Sequence, residues 1–253
     1  MPIEENFNTA VTILREDRVL RIALSRAEDR NRLSAALAGA LLEAIHQAMQ
    51  DSSTGCIVLE QRGEVFCSGI DYDSLAASGG AWLDLAARLF HLRGELRKPL
   101  VGAVHGACAG AGIGLLVQCH FVLAAQGTKF AVTDIHSAAW PALYWDSLVS
   151  AFGPRRACEL SLTGRVFSAA DAQAWGLVHE LVPAFELEER ALQMAAGLAS
   201  LSPAAVAAGL DLACSATAVF ESQWWQAASG SPDFREALAA ARERRKPCWP
   251  SLK

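Results

Sequence analysis

Gly106, Gly110, Gly112 and Gly114 crowd into a short stretch directly after an apolar run containing Val101, Ala103 and Val104. Glycines at this density cost backbone entropy, so such a turn is kept where the main chain comes close to something. The apolar residues Ile113 to Val117 that follow read as a helix, which puts the glycine turn at a helix N-terminus. Unpaired N–H groups point outward there, ready to donate to an oxygen that is gaining negative charge. A tight turn packed in a core accounts for the same spacing. A second loop of this kind, Phe66-Cys67-Ser68-Gly69-Ile70-Asp71, also follows a strand and precedes a helix. If the two strands are neighbours, each loop offers one main-chain N–H to a single oxygen. Two such donors on a thioester carbonyl would stabilise its enolate, and one is worth roughly 2.7–4 kcal/mol in other systems.

Other chemistries fit poorly. The seven cysteines form no C-x-x-C pair, which argues against zinc and thioredoxin-type sites and reads as small hydrophobes in a reducing compartment. His46, His91, His120 and His179 show no metal spacing, and no metal is expected. Ser68 lacks the surroundings of a nucleophile elbow. The glycines at 110, 112 and 114 miss the dinucleotide fingerprint by their spacing.

The elements that hold these loops follow from pattern. The chain has 253 residues, 52% hydrophobic and 19% charged, enough for a sizeable core. A net charge of −5 with no basic stripe argues against nucleic acid. No apolar run is long enough to span a membrane, and the acidic N-terminus lacks a signal-peptide pattern, so a soluble cytoplasmic protein is expected. Residues 9–24 read as a hairpin turning at Glu16 and Asp17. Ser34 caps a helix with Leu37, Leu41, Ile45 and Met49 on one face. Strands are expected at 55–60, 100–104, 121–125, 129–132 and 177–182, with helices at 75–96, 142–151 and 154–162 and a short one capped by Ser168. Strand–helix alternation argues for parallel repeats up to about residue 183. Beyond Pro183 the chain reads as helices at 184–200, 203–218, 219–229 and 233–245, with Trp224 and Trp225 needing a surface to pack on.

Five pieces in order resemble the crotonase superfamily, the enoyl-CoA hydratase/isomerase family, over nearly the whole length. They are Arg30-Asn31-Arg32-Leu33-Ser34; Phe66 to Asp71; Lys98-Pro99 through Gly114; Leu162-Thr163-Gly164-Arg165 with Ser168-Ala169-Ala170-Asp171-Ala172; and Trp175-Gly176-Leu177-Val178. The resemblance implies an α/β fold: a crotonase-like spiral of strand-strand-helix turns over residues 1–183, then a helical trimerisation and lid region over 184–253. It implies an acyl-CoA thioester substrate, coenzyme A entering only as part of that substrate, no other cofactor, and a homotrimer or dimer of trimers. Carried over by position, the oxyanion donors fall on the N–H groups of Ile70 and Ala111. Ser68, Gly69 and Gly110 lie beside them.

The departures bear on the reaction. Hydratases of the family use two glutamates around one water; here the first position holds Gly114 and the second holds Asp134. Adding water calls for both an acid and a base, whereas moving a proton between two carbons of an enolate needs one group. The resemblance therefore implies Asp134 as a lone general base, with its pKa raised by desolvation beside Trp140. His136, Trp140 and Tyr144 replace a glycine-rich turn and are expected to line the substrate pocket, His136 or Tyr144 as an orienting group or extra acid. The expected reaction is a 3-enoyl to 2-enoyl-CoA double-bond shift. Hydration, decarboxylation, C–C cleavage and a catalytically idle acyl-CoA-binding subunit are the alternatives.

Overall fold

The structure is a computed structural model and describes residues 3–8, 10–78, 80–214 and 230–252. The expected helix at 219–229, the end of that at 203–218, and Trp224 and Trp225 lie outside the described residues. The hairpin forms between β2 (Val11–Glu16) and β3 (Val19–Leu24), turning at Asp17, and an extra strand, β1 (Ile3–Asn8), pairs antiparallel with β2. The Ser34 hydroxyl accepts the Leu37 N–H and starts α1 (Ala35–Gln50), whose Leu37, Leu41 and Ile45 are fully buried. From β3 onward the large sheet is parallel, adding β4 (Cys56–Gln61), β6 (Leu100–Val104), β8 (Phe121–Ala125) and β11 (Glu180–Val182) in that order. These strands are apolar on both faces, as sheets covered on both sides require. Helix α1 packs with Ile22, Ile57 and Leu59. Helix α8 (Leu187–Ala199) packs its Leu187, Ala191, Ala195 and Ala199 against Val58, Val101, Leu123 and Val182.

A second sheet was not legible in the pattern. Each turn of the spiral adds a three-residue strand after its long one: β5 (Val65–Cys67), β7 (Ala107–Ala109) and β9 (Lys129–Ala131). They pair parallel, β5 with β7 and β7 with β9, and β10 (Val166–Ser168) closes the far edge antiparallel. Crossovers run through α2 (Tyr72–Ser78), α3 (Gly80–Phe90) and α4 (Ala111–Leu116). After β9 come α5 (Trp145–Phe152), α6 (Pro154–Thr163) and α7 (Ala169–Ala174); the last opens on a reciprocal capping box between Ser168 and Asp171. Then follow α9 (Pro203–Cys214) and α10 (Pro232–Glu243), the latter capped by Ser231 with Pro232 at its first position. Arg21 on β3, its side chain 7% exposed, bonds Glu16 on β2 (2.8 Å), Glu60 on β4 (2.9 Å) and Glu188 on α8 (2.7 Å).

Candidate active site

Because β5, β7 and β9 are adjacent and parallel, their C-terminal ends deliver three chain segments side by side. These are Ser68-Gly69-Ile70 after β5, Gly110-Ala111 after β7, and Thr133-Asp134 after β9. The first segment is sewn to the chain ahead of α1. The Ser68 N–H donates to the Arg30 carbonyl (3.2 Å), the Leu33 N–H to the Gly69 carbonyl (2.9 Å) and the Asp71 N–H to the Leu33 carbonyl (3.2 Å). That ladder skips the Ile70 N–H, which donates to no acceptor among the described residues. Asp71 uses its Oδ1 to accept the Ser74 N–H (3.1 Å) and so caps α2. Buried Asn31 braces the start of β5, donating to the Val65 carbonyl at 2.8 Å.

The second segment is tied to β9 by the Gly110 N–H, which donates to the Ala131 carbonyl (2.9 Å). Gly110 sits at φ 52°, ψ −119°, a region closed to residues with a Cβ. This bend turns the chain directly into α4. Ala111 is the first residue of that helix, and its N–H is one of the orphan donors of a helix start, with no acceptor among the described residues. A Cβ placed on Gly110 would stand 3.3 Å from Gly69 Cα, 3.0 Å from Thr133 Oγ1 and 3.7 Å from Asp134 Oδ2. All three segments therefore meet at this glycine.

Asp134 is 5% exposed and its Oδ2 accepts a 2.6 Å hydrogen bond from the Tyr144 hydroxyl, itself in a ring only 3% exposed. Burial pushes the Asp134 carboxyl above the ordinary carboxylate range, and the bond from Tyr144 pulls the other way. Burial, then the charge of Asp134, pushes the Tyr144 phenol well above its usual value, so it stays a proton donor at neutral pH. Position 114 has no room for a side chain: a Cβ there would lie 2.7 Å from Phe90 Cε1 and 2.9 Å from Tyr144 Cδ1. The two rings lie 5.2 Å apart and fill that space between them.

The structure thus draws Gly69, Gly110, Asp134 and Tyr144 together, with Ser68, Ile70 and Ala111 next to them in the chain. His136 and Trp140 are engaged elsewhere. The exposed His136 ring sets Nε2 3.3 Å from the Gly164 carbonyl, and Trp140, 39% exposed, packs against Trp145 with ring centres 5.1 Å apart. Two contributors escaped the sequence reading. Phe90 signals only as one more apolar position on a helix, and Thr133 carries no signal beyond its place before Asp134.

The enoyl-CoA hydratase/isomerase family model matches residues 15–251. The 2,3-dehydroadipyl-CoA hydratase of Escherichia coli K12 is 30% identical over 250 residues, covering 93% of this chain and 96% of its own length. The peroxisomal Delta(3,5)-Delta(2,4)-dienoyl-CoA isomerase of Arabidopsis thaliana is 27% identical over 259 residues, covering 92% and 93%. The crystal structure of enoyl-CoA hydratase from Bacillus anthracis is similar with a TM-score of 0.89 at 28% identity, over 96% of this chain and 99% of that one. With nearly its whole length matched and the same fold, this chain belongs to the enoyl-CoA hydratase/isomerase family of the crotonase superfamily.

Proposed function

We propose that the chain shifts the double bond of a 3-enoyl-CoA to the 2-position, with Asp134 as its only acid–base group and the N–H groups of Ile70 and Ala111 as the oxyanion hole. The observation that carries this reading is the closed space at position 114. A second carboxylate has no place to project from there, because the rings of Phe90 and Tyr144 occupy it. In the reaction, Asp134 takes a proton from C2 of the thioester, and the electron pair delocalises onto the carbonyl oxygen. The two main-chain donors hold that oxygen as it gains charge. The carboxylic acid then returns the proton at C4, leaving the double bond between C2 and C3. A carboxyl with a raised pKa suits both halves, since it takes a proton from carbon and gives it back. No cofactor takes part; coenzyme A is the handle of the substrate. Residues 184–253 are proposed to build the trimer, or a dimer of trimers.

Hydration is the second reading. It is favoured by the hydratase names of relatives such as the Escherichia coli protein, and Tyr144 would then stand in as the acid. Purified protein given 3-enoyl-CoA in deuterated water separates the two. The isomerase reading expects 2-enoyl-CoA, carrying deuterium at C4 only so far as the protonated Asp134 exchanges with solvent before it returns the proton, no net addition of water to 2-enoyl-CoA, and a loss of roughly 10²–10⁴-fold in kcat for Asp134→Asn with KM nearly kept. Rapid formation of 3-hydroxyacyl-CoA would reject it in favour of hydration. A wild type that binds the thioester without turnover or exchange would leave only an acyl-CoA-binding protein.

A further inference from the structure

At the N-terminal ends of β8 and β11, two histidines repeat one hydrogen-bonding pattern. His120, the residue before β8, donates its main-chain N–H to the Leu100 carbonyl (2.8 Å) and accepts the Leu100 N–H on its ring Nδ1 (3.0 Å). His179, the residue before β11, does the same one strand further on. Its N–H goes to the Val122 carbonyl (2.8 Å) and its Nδ1 takes the Val122 N–H (3.1 Å). An imidazole nitrogen that accepts an amide proton carries none of its own, so the neutral ring keeps its proton on Nε2. Both rings are therefore fixed as Nε2–H donors.

Both also line one cavity of about 160 Å³, together with Arg93, Cys119 and Ser150, and none of the described lining residues is acidic. The His120 Nε2 is buried and meets no acceptor among the described residues. Native proteins rarely keep a buried donor in that condition without a guest to receive it. Burial, then the charge of Arg93, pushes His120 down to about 4 and lowers His179 in the same way, so both rings are neutral near pH 7. Arg93 has other interactions as well, and the two imidazoles supply the donors. A metal ion is the wrong guest, because each Nδ1 is occupied and each Nε2 carries a proton.

We propose that this cavity is a binding site for a small oxyanion of the phosphate type, held between the Nε2–H groups of His120 and His179. It shares no residue with the candidate active site. Free phosphate and the phosphate group of a monoester carry the same chemistry, and both are probed. Full-length protein with ¹⁵N-labelled histidine is titrated with inorganic phosphate, with glycerol phosphate, and with sodium chloride at matched ionic strength. The expected result is a saturable shift of the His120 and His179 Nε2–H resonances with phosphate and none with chloride. An equal response to glycerol phosphate assigns the site to monoesters, and a response to phosphate alone assigns it to the free ion; either supports the proposal. His120→Asp keeps an acceptor for the Leu100 N–H but offers no donor. It should weaken phosphate binding about tenfold or more and leave thioester turnover unchanged. His179→Asp, built on the same logic, is the second variant should the first fail to fold. No saturable shift, as for a cavity holding ordinary water, overturns the proposal, and so does equal affinity in a folded Asp variant. A response to Zn²⁺ but not to phosphate overturns the tautomer assignment with it.

Discussion

At the scale of single residues the site reduces to one carboxylate with one of its oxygens already occupied. The Tyr144 hydroxyl donates to Asp134 Oδ2, the oxygen that also faces Gly110, so a phenol holds the proposed base where the three segments meet. In the proposed reaction the active form is the carboxylate, and burial raises its pKa, so activity should be present above that pKa and fall away as pH drops through it. The hydrogen bond from Tyr144 opposes the rise. Tyr144→Phe should therefore move the acidic limb of kcat/KM against pH upward, by about one unit for a bond to a charged group. An unmoved limb, or one moved down, would show that the phenol does not serve the reactive carboxylate. How much of this was readable from sequence differs by residue. Asp134 stood out through its place after the motif, and the missing acid at 114 was plain. The occupant of that vacated volume was not, because Phe90 and Tyr144 reach it from a helix and a turn far apart in the chain. Contacts of that kind leave no periodicity to read.

At the scale of elements the site depends on caps, bends and very short strands. Helix α1 begins where Ser34 announced it, and α7 and α10 begin at Ser168 and Ser231, because a side-chain cap is a local event that local sequence records. The first strand, β1, and three of the four strands of the small sheet went unread; only β9 was expected, at 129–132. Ala107–Ala109 has neither branched residues nor alternation long enough to mark a strand, and its pairing with β5 and β9 is set by the whole spiral. The start of α4 offers a clean test of the oxyanion hole. Ala111 is the first helical residue, where proline is tolerated because that N–H has no partner in the helix. Ala111→Pro should thus keep the fold and remove one donor. Because Ala111 is buried, the added ring carbons should lower stability by about 1–3 kcal/mol, while circular dichroism keeps the helix and kcat falls roughly 10²–10³-fold or more. Unchanged turnover in the folded variant would remove Ala111 from the mechanism.

At the scale of the whole molecule, Arg21 joins the hairpin, the parallel sheet and the helix that covers it through three carboxylates. Glu60 would lose its partner in the interior while Glu16 and Glu188 stay open to water, so Arg21→Ala should lower stability by about 3 kcal/mol, measured by urea denaturation. Arg21→Met, which refills the volume, should still lose the charge partner of Glu60 and recover only part of that. A loss below about 1 kcal/mol would mean that Glu60 is solvated or protonated once Arg21 is gone. The placement of the reacting segments at the ends of three neighbouring short strands also bears on how the chain tolerates change in length. Exposed turns on the excursions between those strands can be lengthened without moving the proposed catalytic loops relative to one another, whereas α3 carries Trp82 and Phe90 into the core and the site. Deleting a single residue from β7 would turn Gly110 and Ala111 out of line with both neighbours. Insertions should therefore be tolerated at exposed turns and ruinous in a handful of three-residue strands, most of which pattern alone does not reveal.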